Sequence, residues 1–276
     1  MAPRSLLCAL LLPLSLYGAH ATSISLDQPV SASLQPDILY WNFDDGVIGT
    51  SWPDPVPDRS PTKANGILIP KGMTPTYTPG RFGTGLLTTL EPGHAAYIRW
   101  QSVGFPAATF RDTLGLEKPG FTLGGWVKVN YTPESKAASI TVLQGMQTNI
   151  GVIWTFNLVK NAQEAWTLLF VYNGVRYDLG VPMDSFMQGE WHHVAVSVGK
   201  GEDGTPTVTF WNDGYAMGDP KPLDPNAVSK FKDEERLILT GASGLEGVVD
   251  DLFITRGVHT FTPPRTAWVA NNASGH

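Results

Sequence analysis

The 276-residue chain carries 19 Lys and Arg against 25 Asp and Glu, a net charge of −6, and only 16% of its residues are charged. With 42% hydrophobic and 11% aromatic residues beside 29 Gly and 22 Pro, it is too apolar for a disordered chain and lacks the repeat of a fibrous one. Mild acidity without any Lys/Arg run excludes an electrostatic nucleic-acid footprint.

In chain order, residues 1–21 read as a signal peptide: Arg4 gives the positive start, Leu6 to Leu16 the apolar stretch, and Gly18-Ala19-His20-Ala21 a small-x-small cleavage pattern, with cutting expected after Ala21. The apolar run is far shorter than the roughly 20 residues that span a bilayer, so export rather than a transmembrane segment is expected. Cys8, the sole cysteine, leaves with that segment. Disulfides, a cysteine nucleophile and thiolate metal sites go with it. Residues 22–36 read as a leader or first edge strand, 37–263 as one domain, and 264–276 as a polar tail. The Pro-rich run from Trp52 to Asp58 comes too early to divide two domains. Asn130 and Asn272 open Asn-x-Ser/Thr sequons, which matter in a eukaryotic secretory route.

The rest of the chain is a succession of short alternating segments. Strands are predicted over Ala96–Trp100, Phe121–Val129, Ile150–Val159, Trp166–Tyr172, Val175–Leu179, Trp191–Val198, Thr207–Trp211, Leu237–Thr240 and Val248–Thr255. Ile150, Val152, Trp154, Phe156 and Leu158 share one face of their strand and are expected in the core. Asn173-Gly174 is a two-residue hairpin signal, because both central residues of a type I′ turn need positive φ, and Asn212-Asp213-Gly214 marks a second turn. One short surface helix is predicted over Pro225–Arg236, with Asp224 as its cap.

Seven blocks then bear a likeness in their order. Trp41-Asn42-Phe43-Asp44-Asp45, followed by Asp58-Arg59-Ser60 and by Gly80 to Leu86, resembles the opening of laminin-G-like domains in the concanavalin A-like lectin/glucanase superfamily. Phe121 to Val127, Gly189 to Val196, Thr209 to Gly214 and Gly247 to Ile254 resemble later strands of that family. The resemblance covers about Ile38 to Pro263. It implies an all-β fold, a concanavalin A-like jelly-roll β-sandwich of two antiparallel sheets. It also implies that the terminal strands pair, bringing Asp44 to Asp250, with Asp58 in the family's Asp-x-Ser loop.

Chemistry is sparser. Glycoside hydrolysis needs two carboxylates flanking the scissile bond, and the Glu-x-Asp-x-(x)-Glu run of the superfamily's glucanases is missing. No Gly-x-Ser-x-Gly elbow occurs either. Asp44-Asp45 and Asp250-Asp251 are adjacent pairs, which a strand points to opposite faces. The same alternation keeps His192 and His193 from gripping one ion, and His193 is expected to pack beneath a sheet with its ring nitrogens hydrogen-bonded. Hard oxygen ligands from Asp44, Asp58 and Asp250 suit Ca²⁺, which would pin loops together; in the alternative these side chains cap turns.

Flat aromatic faces stack on sugars, and with 9 Trp and 8 Tyr the chain has many candidates. Trp41, Trp126 and Trp191 sit in core-like strands. Trp52 in the Pro-rich loop, Trp268 in the tail, and Tyr172 and Tyr177 beside the hairpin are the expected ligand-binding aromatics, the tyrosines bordering a groove. The function expected is a secreted, calcium-stabilised, non-catalytic module that binds a glycan or another extracellular ligand. The alternatives are an enzyme on the same fold, acting on a polysaccharide or cyclising a small molecule through dispersed cleft residues, and an extracellular structural or adhesion partner.

Overall fold

A computed structural model describes residues 23–50, 56–63, 65–71, 76–87, 95–101, 120–129, 139–147, 151–161, 163, 165–183, 186, 189–200, 204–224, 237–241 and 247–264. Its elements are β1 (Ser23–Ser25), α1 (Val30–Ser33), β2 (Leu39–Trp41), β3 (Ile67–Lys71), β4 (Thr76–Pro79), β5 (Thr84–Leu87), β6 (Ala95–Gln101), β7 (Phe121–Val129), β8 (Ser139–Gln147), β9 (Gly151–Lys160), β10 (Trp166–Tyr172), β11 (Val175–Asp178), β12 (Trp191–Lys200), β13 (Pro206–Asn212), β14 (Tyr215–Pro222), β15 (Leu237–Gly241), β16 (Gly247–Arg256) and β17 (Thr260–Thr262). The nine predicted strands are all present, and those over Phe121–Val129 and Trp166–Tyr172 have the expected bounds. The expected signal peptide, the Pro225–Arg236 helix and the tail beyond Pro264 lie outside the described residues.

Two antiparallel sheets face each other. One runs β11-β10-β9-β8-β15-β6-β3, and the other β14-β13-β12-β7-β16-β5-β4 with β2 also on β16. Alternation explains the core between them. Trp154, Phe156 and Leu158 of β9, with Leu168, Phe170 and Tyr172 of β10, are fully buried against Leu123 and Val127 of β7 and Val194, Val196 and Val198 of β12. Burying side chains of this size, at about 25 cal/mol per Å² of apolar surface, is what holds a cysteine-free sandwich together. Val152, expected on the core face, is 46% exposed, because it lies at the strand end beyond a slip in the β8–β9 register between Gly145 and Met146.

The hairpins follow their turn chemistry. Asn173 and Gly174 have φ of 49° and 83°, and Asp213 and Gly214 have 48° and 87°, the left-handed pair that a tight β-turn of this hand demands. The 22–36 stretch, expected as a leader or edge strand, joins neither sheet: β1 pairs in parallel with β17, and the two lie across the outer face of the eight-stranded sheet as a third, partial layer. The fold is the expected all-β sandwich of two antiparallel sheets.

Candidate functional site

The outer face of the seven-stranded sheet is built from the polar half of the alternation that fills the core. Register puts Ser139, Val159 and Thr167 in one row, Thr141, Asn157, Leu169 and Asp178 in the next, and Gln144, Thr155, Val171 and Arg176 in a third. A groove of about 420 Å³ opens along this face, with Ser139, Thr167, Leu169, Arg176 and Asp178 in its lining. Asn157, only 5% exposed, is fixed from both sides: the hydroxyls of Thr141 and Thr155 donate to its Oδ1 at 2.9 and 3.0 Å. That leaves the amide Nδ2 as the group's donor. Thr167 Oγ1 donates to Val181 O at 2.9 Å, and the Gly180 N–H donates to Asp178 Oδ1 at 2.9 Å, so the rim carries its own hydrogen bonds. At one end Lys160 Nζ stands 5.6 Å over the Trp166 ring. Hydroxyls, an oriented amide, a carboxylate and a guanidinium along one open face match the donor and acceptor pattern of a polyhydroxylated ligand.

The acidic side chains meet elsewhere. β2 and β5 lie along the same flank of β16, toward opposite ends of it, and the strand bulges between them at Asp250-Asp251, with Asp251 at φ 47°. Because Val249 and Leu252 on either side both enter the core, the bulge leaves Asp250 and Asp251 together on the outer side of the sheet, not on opposite faces as strand alternation predicts. Asp250 Oδ2 accepts the Phe82 N–H at 2.9 Å, while Asp251 accepts the Tyr40 hydroxyl at 2.6 Å and the Val30 N–H at 3.1 Å. Asp44, just past β2, accepts the Thr84 N–H at 3.0 Å on Oδ1 and the Asn42 amide at 3.0 Å on Oδ2. Gly83, at φ 59°, lets Asp44 in, since a Cβ there would run into Oδ1. Burial pushes the carboxyls of Asp44, Asp250 and Asp251 up, and the charge of Asp251 raises Asp250 further, as does Asp44.

Asp44 and Asp250 thus sit on one turn, residues 80–84, but Asp58 does not complete a triad with them. Its Oδ1 accepts the Tyr40 and Ser60 N–H groups at 3.0 and 2.8 Å, and its Oδ2 the Ser60 and Thr62 hydroxyls at 2.8 and 2.7 Å. An Asp two residues before Ser closes on its own loop, because the short side chain reaches the local N–H and O–H donors first. Among the described residues no three His, Cys, Asp or Glu side chains form a group able to hold a metal.

Tyr172 and Tyr177 are core residues rather than groove borders. Tyr172 is fully buried and stacked on Phe170 at 6.1 Å, and Tyr177 is 5% exposed with its hydroxyl accepting the Asp224 N–H at 3.1 Å. The reason is register: Tyr172 lies opposite Trp154, on the inward row. Burial raises both phenols. Trp52, Trp268, Asn130 and Asn272 lie outside the described residues. His192 and His193 point to opposite faces, as expected. His192 Nδ1 is 2.8 Å from Asp213 Oδ2 and its ring stacks on Phe186 at 4.4 Å. His193, expected to be bonded through its ring nitrogens, is buried with neither nitrogen hydrogen-bonded among the described residues, because its neighbours are aromatic. Thr141, Thr155, Asn157 and Arg176 went unnoticed in the sequence. Their signal is the polar complement of the Trp154-Phe156-Leu158 face.

Fold and groove together define a two-sheet antiparallel β-sandwich with an open polar sheet face. No family model matches the chain, and no curated protein matches its sequence. Solved structures do. The globular domain of T. cruzi calreticulin is similar at TM-score 0.47 and 10% identity, over 69% of this chain and 84% of that one. An alginate lyase from Klebsiella pneumoniae gives 0.41 and 11% over 72% and 84%. A heptameric SAP-like pentraxin from Limulus polyphemus gives 0.38 and 11% over 52% and 66%.

Proposed function

We propose that the protein is an exported, non-catalytic binding module that holds a glycan or a similar polyhydroxylated extracellular ligand on the outer face of the seven-stranded sheet. One observation carries this reading: Asn157, nearly buried and locked by Thr141 and Thr155, sits between rows of hydroxyl and charged side chains beside an open groove. A donor fixed in advance costs little ordering when a ligand arrives. Export is supported by the Arg4, Leu6–Leu16 and Ala21 pattern, and a laminin-G-like kinship by the order of the sequence blocks, which fall around β2 and β5 and on β7, β12, β13 and β16. Among the described residues no helix is long and apolar enough to cross a membrane.

The test is a polysaccharide panel offered to protein recovered from the culture medium, its amino terminus read at Thr22. Retention is scored beside the appearance of new reducing or unsaturated chain ends. Retention of at least one polysaccharide with its chains intact, weakened at least tenfold by Asn157→Ala or Arg176→Ala, is expected. Chain scission, or retention unchanged in both variants, overturns the reading.

Calcium is placed, within the same proposal, at Asp44 and Asp250. Their carboxylates are hard donors at one turn, and a cation would relieve the repulsion that Asp44 adds to Asp250. EDTA is then expected to lower the melting temperature of the wild type and to leave that of Asp44→Ala unmoved. Equal melting of the wild type with and without chelator removes the ion from the proposal.

A further inference from the structure

The outer face of the eight-stranded sheet is roofed. Ile24, Leu26 and Val30 from the N-terminal segment and Phe261 from β17 pack over Trp126 and Phe253. Within the roof, β1 pairs with β17 and the Leu26 N–H donates to Thr262 O at 3.2 Å; to the sandwich beneath, it is held by the Val30 N–H on Asp251, the Tyr40 hydroxyl on Ser31, and, just before β17, the His259 N–H on Thr122 and the Ser197 hydroxyl on His259 O.

Beneath it lies His193, fully buried, with the rings of Phe261, Trp126 and Phe253 at 4.7, 5.4 and 6.3 Å. Neither ring nitrogen has a hydrogen-bond partner among the described residues, and neither does Trp126 Nε1. Leaving such groups unpaired in a closed apolar space is costly, and a charged imidazole there would cost far more. Burial accordingly pushes the His193 imidazole down to about 3, against a smaller upward pull from Asp213. The ionisable groups around it are bonded elsewhere; Asp250, across Trp126 from it on β16, accepts the Phe82 N–H and is a carboxyl that burial raises. Asp213, on the turn after β13, accepts the His193 backbone N–H at 2.8 Å and bonds His192. On β16 and β2, Asp251 is bonded to Tyr40. Arg81 stacks over Trp126 at 4.7 Å, Lys128 lies two residues along β7, and His259 Nε2 is 2.9 Å from Arg256 O before β17.

We propose that His193 is the trigger of an acid-operated latch: proton uptake by its imidazole lifts the terminal roof and bares the aromatic patch of Trp126, Phe253 and Phe261 while the two-sheet sandwich stays folded. The sign follows from linkage. Closed, the ring resists a proton down to about pH 3; exposed, it takes one near its ordinary 6.5. Through His193 the open form gains a proton between those limits, which by itself raises the ratio of open to closed molecules by up to about tenfold for each pH unit lost below 6.5; Asp251 beneath the same roof, its carboxyl raised to about 6, sheds a proton when exposed and offsets part of that rise below about 6. The roof yields first because scattered hydrogen bonds hold it to the sandwich, whereas β12 is paired along both flanks.

Native-state hydrogen exchange from pH 7.5 to 4.5, corrected for intrinsic rates, reads this directly. The opening constants of the Leu26 and Val30 amides are expected to rise from pH 6.5 downward, most steeply above about pH 6 and by at most about tenfold per pH unit, with Leu123 and Val196 in the central strands still protected. His193→Phe should flatten the rise. An equal rise in His193→Phe, or central amides opening in step with the roof, overturns the latch. So does a wild-type His193 ring that titrates near pH 6.5, followed by NMR, while the Leu26 and Val30 amides stay protected; this arm needs no variant to fold.

Discussion

Asp58 carries four hydrogen bonds on two oxygens while only 2% exposed, which makes it a structural hub of the loop that follows β2. Replacing it by Ala strands the Tyr40 and Ser60 N–H groups in a closed interior. Asp58→Ala should therefore cost about 3 kcal/mol, from roughly 1–3 per orphaned group, read as a fall in urea midpoint at constant m. Its residue type was legible in the sequence, and its role was not, because a carboxylate suits both an ion and a local turn. The tyrosines teach the same lesson in reverse. Tyr172 stands next to a hairpin, which reads as exposed, yet parity with Leu168 and Phe170 places it inward. Counting parity from Trp154 would have found both the buried tyrosine and, one step off, Asn157.

At the scale of strands, edges need protection, because an unpaired row of N–H and C=O groups recruits further chains. The four outermost strands of the two sheets are β14, β4, β11 and β3. Pro220 and Pro222 lie in β14, Pro79 in β4, and Pro70 with Lys71 in β3; β11 is only four residues long and exposes Arg176 and Asp178. Proline removes a donor where a neighbour would dock. Pro220→Val combined with Pro222→Val should leave the fold intact and produce concentration-dependent dimers or larger species by light scattering. A monomer at all concentrations would argue that the two prolines are not what protects β14. These prolines also explain why β14 was not foreseen: Tyr215 to Pro222 contains two prolines and a glycine and reads as a loop. β8 was missed for another reason, since Gln144, Gly145 and the register slips on either side break its alternation.

Over the whole molecule, the two-sheet architecture was readable because many segments repeat one simple pattern, and errors at single strands do not change the class. The third layer was not readable. Residues 22–36 offer few apolar positions, and nothing local says that Ile24, Leu26 and Val30 would fold back over Trp126 and Phe253 rather than extend a sheet edge. That covering matters for His193, whose neighbours come from strands far apart in sequence. A partnerless ring in such company is a property of the assembled shell, which no window of sequence contains.

The meeting of β1 with β17 has a geometric corollary. Both described ends of the chain emerge from the back of the sandwich, across its full thickness from the groove lined by Ser139, Thr167 and Arg176. A tether, a surface or a fused neighbour attached at either end would therefore sit behind the molecule and leave its hydroxyl-lined side facing away from the attachment.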